Sequence, residues 1–181
     1  MTLDYSPEKG TTSGVDLAHG PISREHKDQI NSVRGAIARR LNLGGADSPN
    51  VFHEVILPPD APDCLAELLP IIASYEAAMI PGQHDLLTIT SVRFDPSVPL
   101  HRQRELGRRF AVQSFAEKRQ LACIIAQHVP SRLGFKNKPH IHIIAFARLL
   151  HGSNWGAFTE LRYPGGKAAL VREWATLLTD A

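Results

Sequence analysis

Only two cysteines occur among the 181 residues, Cys64 and Cys123, and they form no CxxC pair. With Cys123 set among Leu121, Ala122, Ile124 and Ile125, both read as small apolar residues, and no disulfide framework is implied. Long apolar runs are missing as well. No stretch approaches the ~18 residues that a membrane-spanning helix needs, and the opening MTLDYSPEKGTTSG has no apolar core of signal-peptide length. These absences set the expectation of a chain off the membrane, in a reducing cytoplasm. Internal repeats are absent, and tyrosine is scarce, at Tyr5, Tyr75 and Tyr163 only.

What is present is an apolar content of 43%, enough for one domain with a core of its own. Residues 1–21 are polar and carry Gly10, Gly14, Gly20, Pro7 and Pro21, which predicts a flexible arm ahead of a single domain over 22–181. The formal charge of +2 hides an uneven distribution. Residues 100–148 hold ten Lys and Arg against two Glu, a local balance of +8 that leaves −6 elsewhere. Such asymmetry fits a polyanionic partner, and it equally fits a solvated helix face.

Local patterns give an order of elements. SREHKDQINSVRGAIARRLNL spaces Ile30, Val33, Ile37 and Leu41 at helical intervals from a cap at Ser23. VFHEVILPP reads as a strand, APDCLAELLPIIASYEAAM as a helix kinked or split at Pro70, and DLLTITSVRF as a second strand. PLHRQRELGRRFAVQSFAEKRQ is amphipathic, with Leu106, Phe110 and Phe115 available to a core. LACIIAQHV and HIHIIAFARLL are strands joined by about ten residues, hence an antiparallel hairpin, and KAALVREWATLLTDA closes as a helix. The predicted class is α+β, with a mainly antiparallel central sheet and helices packed on one face of it.

The stretch NKPHIHIIAFAR carries the chemistry. Alternation along a strand sends His140 and His142 to one face and Ile141 and Ile143 to the other. Two imidazoles ~7 Å apart at Cα can converge on one metal ion. His128 ends the preceding strand, and pairing in the hairpin brings it to the His140 end, giving three nitrogen ligands with positions left open. Against this stands the plain alternative of partly exposed polar residues in a chain with nine histidines. His19, His26, His101 and His151 have no such context and read as surface residues.

FAEKRQLACIIAQHVPSRLGFKNKPHIHIIAFAR resembles the core of the MobA/MobL-type plasmid mobilisation relaxases, members of the HUH endonucleases. In that family a helix leads to a strand ending in His-x-Pro, then a variable loop, then Asn-x-His-x-His. HEVILPPDAP is similar to the family's early strand and its exit, and LVREWATLL to its later helix, so the resemblance spans about residues 51–181. It implies a relaxase-like antiparallel sheet and a divalent metal, magnesium or manganese, held by His128, His140 and His142. It also implies nicking and joining of single-stranded DNA through a tyrosine, alongside accessory mobilisation proteins. Arg108, Arg109, Arg132, Lys136 and Lys138 would then follow the phosphates, and Phe135 and Trp155 are candidates for base stacking.

The tyrosine departs from the family pattern. NSVRGAIARRLN, counterpart of the family's tyrosine helix, contains none. Tyr5 is the candidate nucleophile because its segment can be delivered to the site, and Asp85 in GQHDLL is the candidate for the family's acidic helper. Two other readings stand beside this one. The first is a relaxase relative that binds DNA as an accessory protein without nicking it. The second is a histidine-triad nucleotide hydrolase, which needs a further histidine where this chain has Ile144.

Overall fold

A computed structural model describes residues 15–26, 29–41 and 50–180. Its strands are β1 (Leu17–Ser23), β2 (Glu25–His26), β3 (Gln29–Ile30), β4 (Asn50–Ile56), β5 (Asp85–Arg93), β6 (Cys123–His128), β7 (His140–Phe146), β8 (Arg148–His151) and β9 (Asn154–Phe158). Its helices are α1 (Val33–Leu41), α2 (Leu68–Ala77), α3 (Leu100–Phe110) and α4 (Gly165–Thr179). The main sheet has the order β1-β5-β7-β6-β4, and every neighbouring pair is antiparallel. β7 is its central strand.

Helices cover both faces of this sheet, where the sequence pattern predicted one. Ile124, Ala126, Ile144 and Phe146 pack with α1 and α2 through Ala36, Ile37, Leu41, Ile71 and Tyr75. Cys123, Ile125, Ile141, Ile143 and Ala145 pack with α3 and α4 through Leu106, Phe110, Leu170 and Trp174. Successive side chains of β6 and β7 therefore enter two different cores, and the apolar runs that blur period-two alternation follow from that. Gly107 brings α3 close to β7, since a Cβ there would stand 2.5 Å from Ile141 Cδ1. α3 runs on through a π-helical stretch, Ala111–Glu117, and the chain then reverses at Gln120, whose φ is 51°.

Several predicted boundaries move. The arm expected over 1–21 includes β1, which pairs along β5 from Leu17↔Val92 to Ser23↔Asp85 and buries Leu17, Ala18 and Ile22. Pro21 is compatible with this because β1 is an edge strand and its proline costs no shared ladder bond. Residues 1–14, and with them Tyr5, lie outside the described residues. The first helix starts at Val33 rather than near Ser23. Ser32 caps it, with its Oγ accepting from the Gly35 N–H at 3.0 Å, and β2 and β3 form a two-stranded ladder before it. Pro70 falls in the first turn of α2, where a missing N–H is tolerated, so it neither kinks nor splits the helix. HIHIIAFARLL is two strands: β8 leaves the main sheet and pairs with β9. Arg148 anchors that departure, donating to the carbonyls of Ala78, Trp155 and Gly156.

Candidate metal and nucleic-acid site

The three histidines of the sequence motif come together. His128 ends β6 and registers opposite His140 at the head of β7, while His142 registers opposite Ser91 of β5. Ring centroids are 5.3 Å apart for His128 and His140, 4.9 Å for His128 and His142, and 4.8 Å for His140 and His142. They occupy the face that α1 and α2 cover, beyond the end of that core, so the sheet holds their backbones while the rings reach the rim.

Their hydrogen bonds share one pattern. Ser91 Oγ lies 2.7 Å from His142 Nδ1, and the Lys138 carbonyl lies 3.0 Å from His140 Nδ1. His128 bonds to the Arg40 carbonyl, and since its Nε2 is buried with no partner, that bond is made through Nδ1. Each imidazole thus uses its Nδ1 on the protein and leaves Nε2 over. By contrast, His19 uses both nitrogens, Nδ1 on Thr90 Oγ1 and Nε2 on the Leu161 carbonyl, each at 2.8 Å. It is a half-buried tie between β1, β5 and the turn before α4, and not the surface residue that its sequence context predicted.

Burial lowers the basicity of all three rings. It brings His128 down to about 4, with His140 adding to the effect, and holds His142 well below the ordinary range with His140 and His128 next in weight. Burial also lowers His140, against the Lys138 carbonyl and with help from the Arg93 charge. The cluster is neutral at pH 7, the state in which an imidazole nitrogen has a lone pair to give. The donor set, all nitrogen with one orphaned buried Nε2, suits a divalent ion. The rings are not arranged around one, however. Those of His128 and His140 lie parallel within 2°, and among the described residues no group of three or more His, Cys, Asp or Glu side chains is disposed to hold a metal.

The other predicted residues divide. Asp85 opens β5 at the end away from the histidines, six residues before Ser91 and so roughly 20 Å off, and is committed to Arg162 at 3.0 Å and His84 at 2.9 Å. It cannot serve as their acidic helper. Tyr75 is wholly buried, its hydroxyl donating to the Leu86 carbonyl and accepting from Gln83 Nε2, both at 2.9 Å, and burial raises its pKa to about 12. Tyr163 accepts from Arg162, the partner of Asp85, at that same distant end. Trp155 is a core residue, edge-on to Tyr75 with its Nε1 on Ser74 Oγ, and is not available for stacking. Phe135 is 58% exposed in the β6–β7 connection.

The basic residues fall on two sides of the sheet. Arg132, Lys136 and Lys138 are exposed on the β6–β7 connection beside the histidines. Arg108 and Arg109 ride on α3 across the sheet, and Arg108 Nε is paired with both Glu54 oxygens at 2.9 and 3.2 Å. Two further arginines of the basic stretch are structural: Arg148, and Arg119, which bonds to Glu160, Glu173 and the Ser114 carbonyl. The +8 stretch overstates the cation available to a partner at the histidine face.

The residues missed in the sequence are Ser91, Arg93 and Asp16. Arg93 registers opposite His140, and its guanidinium meets Asp16 at 3.1 Å. The polar positions Ser91 and Arg93, two apart in an otherwise apolar strand, were a legible signal, because they share a face. Asp16 had none, since the strand that it precedes was not foreseen.

No protein-family model and no curated protein matches this sequence. In three dimensions the chain superposes on a solved structure described as "Molecular Basis of Vancomycin Resistance Transfer in Staphylococcus aureus", with a TM-score of 0.70, 11% identity, and coverage of 92% of this chain and 91% of that one. At that identity the likeness is one of fold: the chain shares the α+β architecture of that structure, and in this chain it is a five-stranded antiparallel sheet with helices packed on it.

Proposed function

We propose that this chain is a relaxase-like protein of the MobA/MobL type, which binds single-stranded DNA at a divalent-metal site made by His128, His140 and His142, for strand nicking and joining in plasmid mobilisation. The observation that carries this is the shared pattern of the three rings, each tied through Nδ1 with Nε2 left for a ligand. A magnesium or manganese ion held there by the three histidines would supply charge stabilisation at a scissile phosphate. The chain's own residues do the rest. Ser91 and the carbonyls of Lys138 and Arg40 hold the rings. Arg132, Lys136 and Lys138 attract the strand's phosphates, and Phe135 offers a face for a base. The fold shared with a structure described in terms of resistance transfer agrees with a role in mobilisation, and the same reading carries a cytoplasmic setting and accessory mobilisation proteins as partners. Among the described residues no helix is long and apolar enough to cross a membrane.

A second reading is favoured by one specific observation. Both described tyrosines are far from the histidines, Tyr75 locked in the core and Tyr163 beside Arg162. In that reading the protein binds DNA and metal as an accessory relative and nicks nothing. The test is incubation with a single-stranded origin-type oligonucleotide and Mn²⁺, followed by denaturing electrophoresis. A covalent adduct establishes the relaxase; a mobility shift with intact DNA establishes the binder; neither, together with no metal uptake by the purified protein, rejects both.

A further inference from the structure

Beside the histidine rim, one carboxylate engages two cations at once. Asp16 Oδ1 lies 3.1 Å from Arg93 Nη1, and Asp16 Oδ2 lies 3.4 Å from Lys138 Nζ. The backbones hold this arrangement. The Arg93 N–H donates to the Asp16 carbonyl at 3.0 Å, continuing the β1–β5 ladder by one residue, and the Phe94 N–H donates to the Pro139 carbonyl at 2.9 Å. The triad is also tied to the rings. Arg93 registers opposite His140 on the face of Ser91 and His142, and the Lys138 carbonyl is the partner of His140 Nδ1.

We infer that Arg93 and Lys138 form a phosphate-binding subsite adjoining the histidines, that the Asp16 carboxylate occupies it in the free protein, and that a backbone phosphate of a nucleic acid strand displaces that carboxylate. The chemistry is a matching of shapes and charges. A carboxylate and a phosphodiester each present two oxygens that share one negative charge, so a guanidinium and an ammonium placed to receive the first are placed to receive the second. All three side chains are partly exposed, so a strand reaches them from solvent without opening the core. Exchange of one anion for another leaves neither cation unpaired at any stage. Asp16 therefore lowers affinity for any strand while keeping both cations aimed. The subsite rests on the reading of this protein as a binder of single-stranded DNA, but not on its metal.

The test is fluorescence anisotropy with a labelled oligothymidylate in EDTA, over a range of salt, using the whole chain. Asp16→Asn keeps the shape of the side chain and removes its charge. It is expected to bind about ten-fold tighter at low salt, with the gain shrinking as added salt screens the charge that was removed. Glu117→Gln, an equal loss of charge at an exposed position on the helix that follows α3, is the control and should gain less than about two-fold. Adding Arg93→Gln and Lys138→Gln to Asp16→Asn should abolish the gain. The subsite is overturned if Asp16→Asn binds no tighter than Glu117→Gln, or if the gain persists in the triple variant. Wild-type binding without the gain rejects the subsite alone, whereas no binding by either protein rejects it together with the DNA reading. A melting curve for each variant separates failure to fold from loss of the subsite.

Discussion

Ser91 of β5 and His142 of the central strand β7 face each other across the ladder, with the serine Oγ 2.7 Å from the imidazole Nδ1. If the hydroxyl accepts from Nδ1–H, the lone pair is on Nε2, the nitrogen that reaches the cluster. A neutral hydroxyl is thus the group that orients His142, while Asp85, the candidate acidic helper in the sequence, is bonded elsewhere. Ser91→Ala is expected to weaken divalent-ion binding by about 10- to 100-fold while leaving the melting temperature of the metal-free protein within a few degrees. Calorimetric titration with Mn²⁺ measures it, and Ser91→Thr should restore the affinity.

Metal binding and stability are linked. An ion bound by the folded chain alone raises its stability by about 2.7 kcal/mol at a hundred-fold excess over Kd, so Mn²⁺ should raise the melting temperature and EDTA should reverse it. His140→Ala with His142→Ala removes two of three ligands and should erase that shift. A double variant still stabilised by Mn²⁺ would place the ion elsewhere.

The mapping from sequence to site was uneven for physical reasons. Alternation fixed the face of His140 and His142, and a short hairpin connection fixed the strand of His128, because both are local rules. Helical coverage of the second face was hidden: apolar residues entering two cores look the same in sequence as residues entering one, as in CIIA of β6. β1 was missed because Gly20 and Pro21 mask its pattern, and its pairing partner is some seventy residues away. The charge of the 100–148 stretch misled for a related reason. Composition does not distinguish Lys136, which is exposed, from Arg119, which is spent on Glu160 and Glu173 inside the fold.

That internal ion pair predicts a response to acid. Burial pushes the Glu173 carboxyl up, but hydrogen bonds from Arg119 and then Lys118 outweigh it and bring the pKa down to about 2. A carboxyl depressed in the folded state contributes stability above its unfolded value of ~4.3, and the contribution is lost as pH falls from there toward 2. The loss should be on the order of 2–3 kcal/mol. Urea midpoints for wild type and Glu173→Gln should converge as pH falls through that window and diverge above it. Parallel curves would show that the pair carries no net stability.

The tyrosines predict opposite outcomes. Tyr75→Phe removes a hydroxyl buried between Gln83 and the Leu86 carbonyl, so it should cost about 1–3 kcal/mol in denaturant unfolding and leave any DNA adduct intact. Tyr5→Phe should eliminate the adduct. An adduct lost with Tyr163→Phe instead would keep the reaction class and move the nucleophile.

Gly107 predicts a mechanical effect on the site. A methyl there would meet Ile141 Cδ1 at 2.5 Å and Cγ2 at 3.2 Å, and Ile141 is the residue between His140 and His142. Gly107→Ala is expected to destabilise by about 1–3 kcal/mol and to weaken Mn²⁺ binding through the displaced strand. Equilibrium unfolding and titration of the same sample report the two together.

The β6–β7 connection begins and ends on a registered pair, His128↔His140. Its middle, residues 131–137, can change in length or composition while the strands and the Lys138 carbonyl keep the imidazoles in place, because the ladder on either side sets the register. The exposed Arg132, Phe135 and Lys136 are therefore a replaceable cassette on a fixed frame. Exchanging that cassette is the way to give the same three histidines a different strand to hold.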